Sequence, residues 1–184
     1  LGGFYVMLNK SLVGVEGTSD IGVGNDFRRI GLLRDPTNFG TSTVATATTR
    51  RQIYATIFSS VSGTFTADEE INQATTGAVA KVIEFDSTNK ILYYYQTRFP
   101  DVGTDTNGNL TAISGANAIT GQSSSASATP NTSSSATVNG VTFASGYANP
   151  ELAYDSGDII YVEERSPITR ASDQTENVKL IIEF

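Results

Sequence analysis

Apolar and polar positions in this chain alternate over short runs, and no segment carries the 3.6-residue spacing of a long amphipathic helix. Residues Tyr147 to Tyr154 offer at most one helical turn after Pro150. Phe4-Tyr-Val-Met-Leu8 reads as a strand, and Gly14, Gly17, Gly22 and Gly24 mark a loop after it. Phe27 to Leu33 reads as a second strand, which the Asp35-Pro36 turn ends. Thr37 to Arg51 suits an irregular arm or edge strand, and Gln52 to Phe58 has the β-branched and aromatic content of a strand.

The best-patterned interior segment runs from Gly63 to Gln96. It reads as a strand, an acidic turn, a strand, a Thr-Thr-Gly turn, a strand over Ala78–Phe85, an Asp-Ser-Thr-Asn turn and a strand over Lys90–Thr97. Turn signals at that spacing predict a small antiparallel barrel or meander. Residues 122–139 are Ser-, Thr- and Ala-rich and predict a flexible or extended linker, because such side chains bury little apolar area against the entropy of ordering. The far end reads as a strand holding Ile159 to Glu163 and a strand holding Val178 to Phe184, joined by a polar connection. Strict alternation puts Ile159, Tyr161 and Glu163 on one face of the first, with Ile160 and Val162 on the other. This closing stretch should be a paired sheet element anchoring residues 27–36, because an unpaired apolar edge invites aggregation.

The expected fold is therefore mainly β: antiparallel sheets or a sandwich, with an inserted small β-barrel-like module and a low-complexity loop. The domain reading is a β core from residues 1–36 and 140–184, an inserted β module over 37–121 and a Ser/Thr-rich linker over 122–139.

Composition narrows the function classes. Across 184 residues the net charge is −7, which argues against a nucleic-acid partner needing a basic stripe. The chain has no cysteine and no histidine, excluding disulfides, thiolate zinc sites, Cys nucleophiles and His-based triads. No apolar run is long enough for a membrane-spanning helix, so membrane insertion is not expected. The first residue is Leu1, which predicts that the chain is part of a longer polypeptide.

Candidate chemistry is sparse. Asp68, Glu69 and Glu70 read as solvated turn carboxylates, since a glycosidase pair must face across a cleft. Asp105-Thr-Asn-Gly-Asn109 lacks the ligand spacing and closing Glu of a calcium loop and reads as a plain turn. Arg28, Arg29 and Arg34 suit a solvated or inter-subunit salt-bridging edge better than a specific anion site. No catalytic residue, metal site or cofactor is expected, and the chain is read as non-enzymatic. An alternative function, a receptor- or glycan-binding β module of a virion or cell surface, rests on Tyr93-Tyr94-Tyr95 and the Ser/Thr/Gly loops. Those tyrosines alternate faces on a strand, so at least one should pack in the core.

Two segments carry a resemblance. Ser156-Gly-Asp-Ile-Ile-Tyr-Val-Glu-Glu-Arg-Ser-Pro-Ile168 and Ser172-Asp-Gln-Thr-Glu-Asn-Val-Lys-Leu-Ile-Ile-Glu-Phe184 resemble the close of the baseplate wedge protein encoded by gene 8 in T4-like contractile-tailed phages. Phe27-Arg-Arg-Ile-Gly-Leu-Leu-Arg-Asp-Pro36 is similar to an earlier strand of that family, in the same order. The family joins the two segments by a shorter connection, whereas residues 37–155 intervene here. The resemblance implies a structural protein of the virion tail baseplate, forming a homodimer and contacting other wedge proteins. It makes Glu163, Glu164, Arg165, Pro167, Asp173, Gln174, Thr175, Glu176 and Phe184 the interface candidates. Pro167 would stiffen the exit from the strand, and the charges would set register across an interface.

Overall fold

A computed structural model describes residues 4–8, 20–22, 29–46, 50–96, 103–153, 156–164 and 177–179. The chain is mainly β, its strands pair antiparallel, and no helix occurs among the described residues. Two compact units divide it: residues 1–36 with 157–184, and residues 37–156. The opening segment supplies β1 (Phe4–Leu8), β2 (Asp20–Gly22) and β3 (Arg29–Arg34). The 37–156 unit supplies β4 (Tyr54–Ile57), β5 (Glu70–Gln73), β6 (Ala78–Asp86), β7 (Ile91–Tyr95), β8 (Ile119–Gly121), β9 (Ser127–Ala128), β10 (Thr137–Val138), β11 (Val141–Thr142) and β12 (Tyr147–Ala148). The closing segment supplies β13 (Asp158–Glu164) and β14 (Asn177–Lys179).

In the first unit β3 is the centre of a three-stranded sheet, β1-β3-β13. The closing stretch thus anchors the Arg29–Arg34 strand, as its apolar content predicts. The strict alternation expected along β13 is interrupted. Ile159 faces Leu33 and Tyr161 faces Leu32, so Ile160 is the extra residue of a β-bulge, which twists the strand and re-aims its side chains. The last two strands do not form a hairpin. β14 pairs with β2, setting Val178 opposite Ile21, in a separate two-stranded sheet. The polar connection between β13 and β14 lies outside the described residues. Gly157 leads into β13 at φ +83, where a Cβ would lie 2.9 Å from the Arg34 carbonyl oxygen and 3.0 Å from Pro36, so the position requires glycine.

The 37–156 unit is built on a seven-stranded sheet, β12-β4-β7-β6-β5-β8-β9. Its centre is the meander foreseen in the patterning. The Asp86 carboxylate closes the β6–β7 turn by accepting the Thr88 and Asn89 amides, both at 3.0 Å, and the Asn89 side-chain amide at 2.7 Å. The unbroken apolar run of β7 has a simple cause: both faces are covered. Leu92 and Tyr94 join a cluster with Phe58, Phe65, Ile71, Val82 and Ile119, while Ile91 and Tyr93 pack in a second cluster with Ala55, Ile57, Val141 and Phe143. The sheet also curls. Isolated bridges pair Phe58 with Pro130 and Ser62 with Ser127, bringing the β9 end back toward the end of β4. β9 and β4 are not sheet neighbours, so the result is a strongly curled open sheet with a barrel-like interior.

The Ser-rich segment departs from expectation. Residues 122–139 lie within this unit, which runs to residue 156. β8 and β9 extend the sheet, Ala126 and Ala128 are buried in the larger cluster, and Val138 packs against the smaller one. Composition counts apolar area, but here small alanines fit close-packed sites and strand pairing satisfies the backbone. The unit also closes on itself at its ends: the Thr37 amide donates to Ser156 Oγ at 2.9 Å, and the Ala153 amide to the Thr37 carbonyl at 2.9 Å.

Candidate functional site

Three places hold the side chains that sequence or structure singles out. The first is β13. Register sets Glu163 opposite Ile30 and Glu164 opposite Arg29, while Arg165, Pro167, Asp173, Gln174, Thr175, Glu176 and Phe184 lie outside the described residues. Beyond Asp158, β13 exposes an apolar run. Ile159, Ile160, Tyr161 and Val162 are 62%, 50%, 51% and 48% exposed. The sequence reading placed the interface in the charges flanking this run and assigned the run itself to sheet faces. Its signal was four adjacent large apolar residues on a strand with few neighbours. Arg34 and Asp158 form an ion pair of 2.6 Å at one end, with both side chains mostly in water, where solvent screening leaves it little weight.

The second place is Glu69. It is 5% exposed, against the expectation of a solvated turn carboxylate. Oε1 accepts the Thr66 amide at 2.7 Å and the Ser124 hydroxyl at 2.8 Å. Oε2 accepts the Ser123 and Ser124 amides at 3.1 and 2.9 Å. Burial by itself raises the Glu69 pKa, but the donors from Ser124, Thr66 and Ser123 outweigh it and hold the carboxyl below its usual range. Gly121 makes room: a Cβ there would lie 2.6 Å from Oε2 and 2.5 Å from Ser124 Oγ. A carboxylate saturated by four donors ties the Ser-rich turn to the sheet and has no lone pair placed for base catalysis. Asp105 behaves likewise as turn chemistry, accepting the Asn107 and Asn109 amides at 2.8 and 2.9 Å. Among the described residues no group of three or more His, Cys, Asp or Glu side chains could hold a metal ion.

The third place is a pocket of about 300 Å³ within the 37–156 unit. Its aromatic wall comes from three strands. Tyr54 on β4 is the register partner of Tyr94 on β7, and their rings stack at 5.6 Å with a 16° interplanar angle. Phe39 supports Tyr54 edge-on at 6.2 Å. Tyr147 on β12 donates its hydroxyl to the Gly115 carbonyl at 2.6 Å. The polar lining is amide: Gln96, Asn109 and Asn149. Gln96 Nε2 bridges the Val79 and Thr111 carbonyls at 3.1 and 2.8 Å, fixing the side chain just past β7. Arg51 fixes the backbone of Asn149 by donating to its carbonyl at 2.9 Å. Burial, reinforced by the nearby Tyr147 and Tyr54 phenols, pushes the Tyr94 pKa up, and burial does the same for Tyr147. The wall is therefore uncharged at neutral pH. Of the Tyr93-Tyr94-Tyr95 run only Tyr94 reaches this pocket; Tyr93 packs against the second cluster on the opposite face.

No family model, curated protein or solved structure matches this chain.

Proposed function

We propose that the chain is a structural component of a contractile phage tail baseplate wedge, located in the virion tail and held by protein–protein contacts. The resemblance of residues 27–36 and 156–184 supplies the family. The observation that carries the reading is the apolar run Ile159–Val162, each residue about half or more in water on a strand at the margin of a three-stranded sheet. Contiguous exposed apolar surface of this kind marks an association site. Beyond β3, β13 has no strand partner among the described residues, and an open strand margin accepts a further strand through backbone hydrogen bonds. A second copy of the chain and neighbouring wedge proteins are the occupants that the resemblance implies. Under this reading the chain is non-enzymatic, and the hydrogen-bonded state of Glu69 accords with that.

Cross-linking mass spectrometry of intact tail particles tests the proposal. Links from residues 156–184 to baseplate neighbours are expected, and their absence sinks it. A glycan-binding role draws on a different observation, the tyrosine pocket.

A further inference from the structure

We propose that the tyrosine pocket of the 37–156 unit binds an uncharged saccharide residue. The inference stands apart from the assembly reading, since it uses none of the residues of the β1-β3-β13 sheet.

Size comes first. About 300 Å³ lies at the lower end of small-molecule sites, enough for one or two rings but not for an extended cofactor. Charge comes next. The lining contains no Lys, Arg, Asp or Glu, and its phenols stay protonated, so a phosphate, carboxylate or ammonium ligand would lose hydration and find no counter-charge. The lining is mixed: tyrosine rings and aliphatic Leu110, Ala112, Ile113 and Ala148 sit beside the amides of Gln96, Asn109 and Asn149. A neutral pyranose has the complementary surface, with C–H faces that pack on rings and hydroxyls that both donate and accept.

The most specific observation is at the Tyr94 hydroxyl. Tyr94 is only 2% exposed and lines the pocket, and its hydroxyl makes no hydrogen bond among the described residues. Yet it is not one of the buried atoms lacking a partner, so it keeps surface that water or a ligand hydroxyl can reach. Gln96 Oε1 is likewise without a partner among the described residues, because its own amide nitrogen is committed to two carbonyls. The Asn149 side chain makes no hydrogen bond among the described residues, and its backbone is pinned by Arg51. Together they place a donor–acceptor hydroxyl, an acceptor and a free amide around one cavity. The proposal is of binding alone, since no Asp or Glu lines the pocket.

The test is a glycan array carrying neutral and sialylated glycans, probed with the full chain. Isothermal titration of the best neutral binder follows, with its methyl glycoside as the smallest probe. Saturable binding confined to neutral glycans is expected. Tyr94→Phe removes only the hydroxyl and keeps the stacked ring, and Asn149→Ala removes an exposed amide. Each should weaken binding roughly three- to tenfold without shifting the thermal midpoint by more than a few degrees. Tyr95→Phe, which alters no pocket residue, should leave affinity unchanged. No saturable binding at millimolar sugar, a preference for sialylated glycans, or affinity indifferent to both Tyr94→Phe and Asn149→Ala would each overturn the proposal.

Discussion

The two units solve opposite problems with the same antiparallel pairing. The 37–156 unit covers both faces of its central strand β7 and curls its sheet until the margins bridge, so its apolar side chains are spent on one another. The outer unit stops at three strands and leaves Ile159 to Val162 in water. Curling lets the first bury its apolar residues within the unit, whereas the second leaves an apolar run in water.

The comparison is tested most forcefully at Ile71, fully buried in the larger cluster. Ile71→Ala should cost about 2–5 kcal/mol in denaturant unfolding, the usual toll of a core cavity. A loss below 1 kcal/mol would mean that the curled sheet is loosely packed. Next is the carboxylate tie. Glu69→Gln should cost about 1–3 kcal/mol, because one charged acceptor is removed from a site with four donors. The pH dependence gives a second reading. Glu69 has a folded pKa below its unfolded one, so its stabilisation is complete above the ordinary Glu range and fades as pH falls through the lowered folded value. Urea titrations on the acid side should therefore be flatter in the Gln variant than in the parent chain.

Smaller effects are expected in the outer unit. Gly157→Ala forces a side chain into a left-handed φ of +83 against the Arg34 carbonyl, at about 1–2 kcal/mol. Hydrogen exchange should quicken in β3 and β13 and stay unchanged in β6 and β7; quickening everywhere would mean that the units do not respond separately. Ile160→Lys should change the stability of the free chain by no more than about 0.5 kcal/mol, since the position is half in water. Under the wedge proposal, its incorporation into tails should nonetheless fall sharply. Normal incorporation would detach β13 from assembly.

What could be read from the sequence follows interaction range. The β6–β7 meander was legible because Asp86 caps its own turn within three residues. The end of β3 was legible because Asp35-Pro36 breaks the chain locally. The Ser-rich turn was not, because the carboxylate that orders it sits 55 residues away from Ser124. The pocket was equally hidden: Tyr54, Tyr94 and Tyr147 meet only through the pairings of β4, β7 and β12, and the eye-catching Tyr93-Tyr94-Tyr95 run contributes one ring. On β13 the alternation misled, since one bulged residue is enough to disturb the assignment of faces.

The paired ends of the 37–156 unit have a thermodynamic consequence. Arg34 and Asp158 are 124 residues apart in sequence, and bringing such distant points together through a flexible chain costs about 4 kcal/mol by the logarithmic loop law. A folded insert that bonds Thr37 to Ser156 has already drawn the two strand ends together, so β3 and β13 meet as if joined by a short turn. Order in the insert is thereby transmitted to the outer sheet as a gain in effective concentration. Melting the insert would loosen the β3–β13 pairing through chain statistics alone.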